Sequence, residues 1–260
     1  MRALGFIVLA ACGVNQTPQP EPVPQLPGCI PDRDGEITAA EMPIALGASI
    51  TYYEGTNRSV DLAADGGIWD LADEHPDDDV VALGPIALET QWFAASFPAG
   101  QFAVDAGDGL VGIYHQDMQA LWLDGTASVA ESPKTLVKYA EPVAILRFPI
   151  RDGAAYETVA EISDGVIQNL PFVGTDRVAV DITGSGRLDV PYVRFSPVLR
   201  ARTHVVRTPS SGSPVVGRRA TIFLFECFGE VARAESKQDE TNADFTTAAR
   251  LRRFALGVTP

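Results

Sequence analysis

Residues 218–228 read RRATIFLFECF and give the strongest indication of the fold. After the two arginines, apolar side chains occupy both alternating sets of positions, so a strand here presents an apolar surface on each face. A strand of that kind is covered on both sides by the rest of the protein. The preferred interpretation is the centre of a β-sandwich. The alternative is the floor of a curved sheet whose concave face holds an apolar ligand.

Further strands are predicted on either side of this segment, separated by turn residues at roughly regular spacing, as is typical of all-β proteins. The clearest alternation is that of Val178, Val180 and Ile182 with their neighbours. Residues 91–97 are also predicted to form a strand, and residues 242–256, the best helical candidate, are assigned to a terminal strand. We therefore predict an all-β fold, mainly an antiparallel sandwich or a strongly curved sheet, with few short helices.

One stretch of the C-terminal half resembles a recurring tail of uncharacterised secreted and lipid-anchored bacterial proteins. It comprises residues 184–203 and contains the pattern G-x-L-x-x-P-x-x-x-F-x-x-V-L-R-x-R/K-T. Trp69-Asp70 is similar to a W-D pair found upstream in such proteins. Over about residues 65–256, the resemblance implies an antiparallel β architecture in which Arg200 and Arg202 share one face. It implies no established activity.

The first 28 residues are typical of a targeting signal followed by a tether. A single arginine, an apolar stretch and the tetrad Leu9-Ala10-Ala11-Cys12 resemble a lipoprotein signal, which predicts a signal peptide over residues 1–11 and a lipid on Cys12. Residues 12–28 are rich in proline and form an extended tether, followed by a single β-rich domain over residues 29–260. Because Gly13 is not aspartate, we expect an outer-membrane location. The alternative is a buried N-terminal strand.

The chain has three cysteines. If Cys12 carries lipid, Cys29 and Cys227 remain as an even pair in an oxidising compartment, and we predict that they form a disulfide. The closed loop would stabilise the domain by about 4–5 kcal/mol in the chain-entropy model. The alternative is two unrelated buried thiols.

Residues 32–41 resemble part of an EF-hand loop, which holds Ca²⁺ with oxygen ligands around a glycine turn. With Gly35 at the turn, the candidate ligands are Asp32, Asp34, Glu36 through its carbonyl group, Thr38 and Glu41. The first ligand position falls on Ile30, which has no side-chain oxygen, and prolines and a glycine replace the entering helix. A weak calcium site therefore competes with a second interpretation, an acidic turn that caps a short helix through Thr38 or Asp34.

Charge is unevenly distributed along the chain. Residues 1–131 contain 20 acidic and 3 basic side chains, residues 132–260 contain 14 and 17, and the formal net charge is −14. This balance argues against a nucleic-acid partner, and attraction between the halves would favour a self-contained domain. The densest acidic cluster is Asp73, Asp77, Asp78 and Asp79. It is a solvated loop, a cation site, or a surface that docks on Arg200 and Arg202.

The motifs of catalysis are scarce. His75, His115 and His204 do not have zinc-site spacing, and the sequence contains no G-x-S-x-G elbow. We therefore predict a non-enzymatic envelope protein with an interaction or structural role, anchored to the membrane by lipid and open to a protein partner. The main alternative is a carrier of a lipid or another apolar ligand. A hydrolase is a third possibility. The cofactor that the sequence indicates is calcium.

Overall fold

The computed structural model describes residues 28–42, 44, 46–63, 66–212 and 214–257. Within these ranges the chain forms strands and two short 3₁₀ turns, Ala39–Glu41 and Ala94–Ser96. The strands are β1 (Glu36–Ile37), β2 (Ile50–Ser59), β3 (Ile68–Asp70), β4 (Asp79–Leu83), β5 (Ile86–Ala87), β6 (Phe102–Gly107), β7 (Leu110–Gln116), β8 (Ala120–Ser128), β9 (Leu136–Arg147), β10 (Ile150–Arg151), β11 (Ala155–Ile167), β12 (Leu170–Val190), β13 (Val193–Pro209), β14 (Val216–Phe225), β15 (Gly229–Glu235) and β16 (Thr247–Phe254).

Fourteen of the strands form one large sheet, and the predicted all-β fold is confirmed. The order of its main path is β4-β2-β16-β15-β14-β13-β12-β11-β9-β8-β7-β6-β5, with antiparallel neighbours throughout. β3 adds to β12 in parallel, and β1 pairs with β10 in a separate two-stranded sheet. The segment 218–228 thus contributes an interior strand of the sheet, β14, which lies between β15 and β13.

The sheet curls so strongly that its two ends approach each other. The terminal strands of the path, β4 and β5, are consecutive in the chain and are joined only by Gly84 and Pro85. A Cβ atom on Gly84 would lie 2.0 Å from the carbonyl oxygen of Ala48, so only glycine fits at this close approach. The sheet nevertheless does not close into a continuous ring.

The second half of β14 is buried on both faces, as its sequence predicts. Ile222 and Leu224 belong to one apolar cluster, which also contains Val178, Val180 and Ile182 of β12. The alternate side chains of β14, those of Phe223 and Phe225, belong to a second cluster on the opposite face. There the ring centroids of Phe223 and of Trp69 from β3 lie 5.2 Å apart. Each of these large side chains contributes about 1.5–3 kcal/mol when fully buried.

One predicted strand is wrong. Residues 91–97 form a turn and the second 3₁₀ turn, with Phe93 and Phe97 buried against β6–β8. The apolar residues of this segment pack on the face of the sheet. The sequence pattern alone does not distinguish such a covering segment from a strand. Residues 242–256 do contain a strand, β16. No helix in the described part of the chain has the length and apolar character needed to cross a membrane.

Candidate functional site

The start of the domain is fastened to the turn between β14 and β15. The sulfur atoms of Cys29 and Cys227 lie 2.00 Å apart, which is the distance of a disulfide bond, and the pair closes a sequence separation of 198 residues. Cys227 has a positive φ of 66° in the turn, and its amide donates a hydrogen bond to the carbonyl oxygen of Glu41. The disulfide predicted from the cysteine count therefore has the geometry that it requires.

Three carboxylates converge beside this disulfide, and we call Asp32, Asp34 and Glu226 the carboxylate cluster. One carboxylate oxygen from each lies within 4.8 Å of the others. Asp32 and Asp34 are exposed in a tight loop in which each accepts a backbone hydrogen bond, Asp32 from the amide of Asp34 and Asp34 from the amide of Glu36. Glu226 precedes Cys227 and is only 2% exposed.

The other residues of the predicted calcium loop make different contacts. Glu36 forms an ion pair with Arg151, at 2.7 Å between Oε1 and Nε. The Glu41 carboxylate accepts hydrogen bonds from the amide and the hydroxyl group of Thr38, at 2.9 and 2.8 Å. These last contacts are those of the helix-capping interpretation, since they close the first 3₁₀ turn. Asp32 and Asp34 are thus the two predicted ligands that the structure brings together with a third acid.

Sequence reasoning missed Glu226. A signal for it was present, because it is the single acid inside an otherwise apolar strand end and it neighbours a cysteine predicted to pair with Cys29. That disulfide necessarily brings residue 226 close to the loop that begins three residues after Cys29. The long-range geometry, and not the EF-hand spacing, identifies the third carboxylate.

The acidic cluster of residues 73–79 is partly neutralised within the protein. Arg58 forms ion pairs with Asp77 and Asp78, at 2.9 and 2.5 Å, and the buried Arg253 of β16 also pairs with Asp78. The hydrogen bonds from Arg58 lower the pKa of Asp77. Of the three alternatives for this cluster, docking on Arg200 and Arg202 is not the contact that the structure shows, since Asp77 and Asp78 pair with Arg58 and Arg253 instead.

Arg200 and Arg202 have other partners. Both form ion pairs with Asp244, and Arg200 also donates to the carbonyl oxygens of Leu62 and Thr183. Asp73 accepts from Arg253 through its backbone carbonyl, and Asp79 opens β4.

A second group of charges, buried or partly buried, lies between the two ends of the curled sheet. We call it the arginine–carboxylate layer, and its members are Glu54, Asp105, Glu230, Glu235, Arg233, Arg250 and Arg252. Arg252 of β16 pairs with Glu54 of the neighbouring β2 and, at 2.5 Å, with Asp105 of β6. Each arginine of this layer has at least one carboxylate partner, and Arg252 joins the two halves of the chain by pairing with two acids of the first half.

The electrostatics of this layer favour charge. Burial alone would lower the pKa of Arg233, but Glu230 and Glu235 outweigh that effect and raise it. The Glu230 carboxylate lies 2.6 Å from the Arg233 guanidinium, and Glu235 lies 2.6 Å from that of Arg250. The Arg233 guanidinium therefore stays charged and is held by its carboxylate partners.

The three histidines lie in different places. His115 contacts the Asp124 carboxylate at 2.9 Å and stacks on Trp122. His75 lines a cleft of about 60 Å³ with Arg253, and His204 lines one of about 210 Å³ with Arg202, both amid charged side chains. The hydrogen-bond partner of the His115 ring is the Asp124 carboxylate and not the hydroxyl or thiol group that a nucleophile–base pair requires.

A scan of the chain against protein-family models, a search of curated proteins and a search of solved structures each gave no match. The predicted signal peptide, the lipid-bearing Cys12 and almost all of the predicted tether lie outside the residues that the structure describes.

Proposed function

We propose that this chain is a lipid-anchored protein of the bacterial cell envelope, held in the outer membrane through Cys12, with a non-enzymatic interaction or structural role. The observation that carries the proposal is the cysteine pair Cys29–Cys227 at disulfide distance. Disulfides form and persist in oxidising compartments outside the cytoplasm. The pair uses two of the three cysteines, and the third follows the apolar stretch that resembles a lipoprotein signal.

The position of the disulfide suits a tethered protein. Residue 29 is the first residue of the domain after the proline-rich segment, and its bond leads to the turn between β14 and β15, two interior strands of the sheet. A load applied through an anchored tether would therefore pass to interior strands and not to a free edge. A single acyl chain binds a membrane only marginally, so stable anchoring requires the several chains of a bacterial lipoprotein.

The polar contents of the curled sheet favour an interaction or structural role over the two alternatives. A carrier of an apolar ligand requires an apolar concavity, whereas the space between the sheet ends is occupied by the arginine–carboxylate layer. A hydrolase requires a histidine beside a nucleophile, and His115 contacts Asp124 instead. These contacts support the proposal without identifying a partner.

The test is native mass spectrometry of the full-length protein released by detergent from its own membranes. We expect a chain that begins at Cys12, carries three acyl groups and is two hydrogens lighter than the fully reduced form. The matched control is Cys12→Ser, which should be recovered without lipid and without detergent. A wild-type chain that still begins at Met1 and lacks lipid would overturn the anchor, and a co-purifying apolar molecule of defined mass would favour the carrier.

A further inference from the structure

Glu226 differs from the other buried acids of the described chain in having no basic side chain as a partner. Asp176 pairs with Arg207, Asp124 with His115, and Glu235 with Arg250. In the part of the chain that the structure describes, the Glu226 carboxylate takes part in no ion pair and accepts one hydrogen bond, from the amide of Arg33 to Oε2 at 2.8 Å. Its second oxygen has no partner there. A buried carboxylate in this state is costly unless a cation or a proton neutralises it.

The charges nearest to Glu226 increase that cost. One carboxylate oxygen of Asp32 and one of Asp34 lie within 4.8 Å of a carboxylate oxygen of Glu226, and like charges at that distance repel one another. The backbone holds these groups in place, because the disulfide joins residue 29 to residue 227 and the amide of Cys227 is bonded to Glu41. The three carboxylates of the cluster therefore cannot separate without disrupting this junction.

The spacing of the cluster matches the size of one calcium ion. Ca²⁺ binds oxygen at about 2.3–2.6 Å, so opposite ligands around it are about 4.6–5.2 Å apart. One oxygen from each of Asp32, Asp34 and Glu226 lies within 4.8 Å of the others. All three ligands are hard carboxylate oxygens, and two of them are exposed to solvent, so water molecules can complete the coordination of a large, flexible ion.

We propose that Asp32, Asp34 and Glu226 bind one Ca²⁺ ion, which fastens the first loop of the domain to the turn between β14 and β15. The site uses two of the ligands expected from the EF-hand resemblance and replaces Glu41, whose carboxylate is bonded to Thr38, by the buried Glu226. The ion supplies the positive charge that arginines supply elsewhere in the protein. The proposal does not depend on the lipid anchor.

The test measures calcium binding to the full-length chain, in detergent, after removal of divalent ions with a chelator. Isothermal titration with calcium chloride should give one site per chain, and the unfolding temperature should rise with calcium concentration. Glu226→Gln keeps the acceptor for the amide of Arg33 and removes the charge, so it should weaken binding at least tenfold. The control Glu89→Gln, at an exposed acid in a turn, should bind as the wild type does.

Several results would overturn the site. These are the absence of any calcium-dependent heat or shift in unfolding temperature, an unchanged affinity in Glu226→Gln, and an equal response to magnesium at the same concentration. If Glu226→Gln does not fold by circular dichroism, Asp32→Asn replaces it, since Asp32 is exposed. The same tenfold loss is expected for Asp32→Asn, and a normal affinity in that variant would count against the proposal.

Discussion

The arginine–carboxylate layer and the carboxylate cluster treat buried acids in opposite ways. In the layer, every acid faces a guanidinium supplied by β15 or β16, as Glu235 faces Arg250 at 2.6 Å. In the cluster, Glu226 is only 2% exposed, and the charged groups nearest to it are those of other acids. The comparison teaches that acids are neutralised where a strand places an arginine beside them, as β16 does for Glu54 and β10 does for Glu36. At the start of the domain, a disulfide holds like charges in place, and the proposed Ca²⁺ ion would neutralise them.

The largest expected effect comes from cutting the covalent link at the carboxylate cluster. Cys29→Ser combined with Cys227→Ser should lower the free energy of unfolding by about 5 kcal/mol, because the disulfide closes a very long loop in the unfolded chain. Urea denaturation followed by tryptophan fluorescence measures this difference. Wild-type protein unfolded in reductant is the control and should match the double variant, whereas equal stability of oxidised wild type and variant would contradict the prediction.

The next effect comes from removing a cation from the arginine–carboxylate layer. Arg252→Met should lower the free energy of unfolding by about 1.5–3 kcal/mol, because it leaves the partly buried carboxylates of Glu54 and Asp105 without the arginine that both contact. The measurement is again the free energy of unfolding in urea. Adding Glu54→Gln to Arg252→Met should restore part of the loss, and a double variant as unstable as the sum of its single variants would argue against coupling.

A matched pair of substitutions compares the two regions directly, in calcium-free buffer. Asp176→Asn should cost about 1.5–3 kcal/mol, since the fully buried Asp176 accepts charge-assisted hydrogen bonds from Arg207 and one from Tyr139. Glu226→Gln should leave stability unchanged or raise it, because it removes a repelled charge. Thermal unfolding of the two variants beside the wild type shows whether each substitution lowers or raises stability. A large loss in Glu226→Gln would mean that its charge already has a partner.

The smallest expected effect concerns His204, which lies near arginines that disfavour its protonation. Burial lowers the pKa of His204, and Arg219 and Arg177 lower it further, while Glu157 acts in the opposite direction. The unfolded chain therefore binds the proton more readily, so this contribution to stability is present above the ordinary histidine pKa of 6.5 and is lost as the pH falls below it. His204→Gln should flatten the pH dependence of unfolding between about pH 5 and 7, and an unchanged slope would contradict the prediction.

The sequence predicted a segment correctly where the segment's own side chains determine its structure, and failed where contacts with other segments determine it. For residues 218–228 the sequence was sufficient to predict a strand covered on both sides. Apolar side chains occupy both alternating sets of positions, so burial on both faces of β14 follows from its own side chains. Residues 91–97 were assigned wrongly, since Phe93 and Phe97 pack on the sheet from a 3₁₀ turn and an apolar segment of that length fits either structure. The charge asymmetry predicted attraction between the halves, and the structure shows which arginines carry it.

The sequence by itself determined the all-β class, the pairing of Cys29 with Cys227 and two of the three acids in the carboxylate cluster. Each of these depends on composition, alternation or local spacing, which the chain carries in one dimension. Only the tertiary structure decided that β4 and β5 bring the sheet ends together, that Arg252 is shared by Glu54 and Asp105, and that Glu226 meets Asp32 and Asp34. These contacts join residues more than 140 positions apart or depend on the curl of the whole sheet, and their energies exist only once the strands between them have paired.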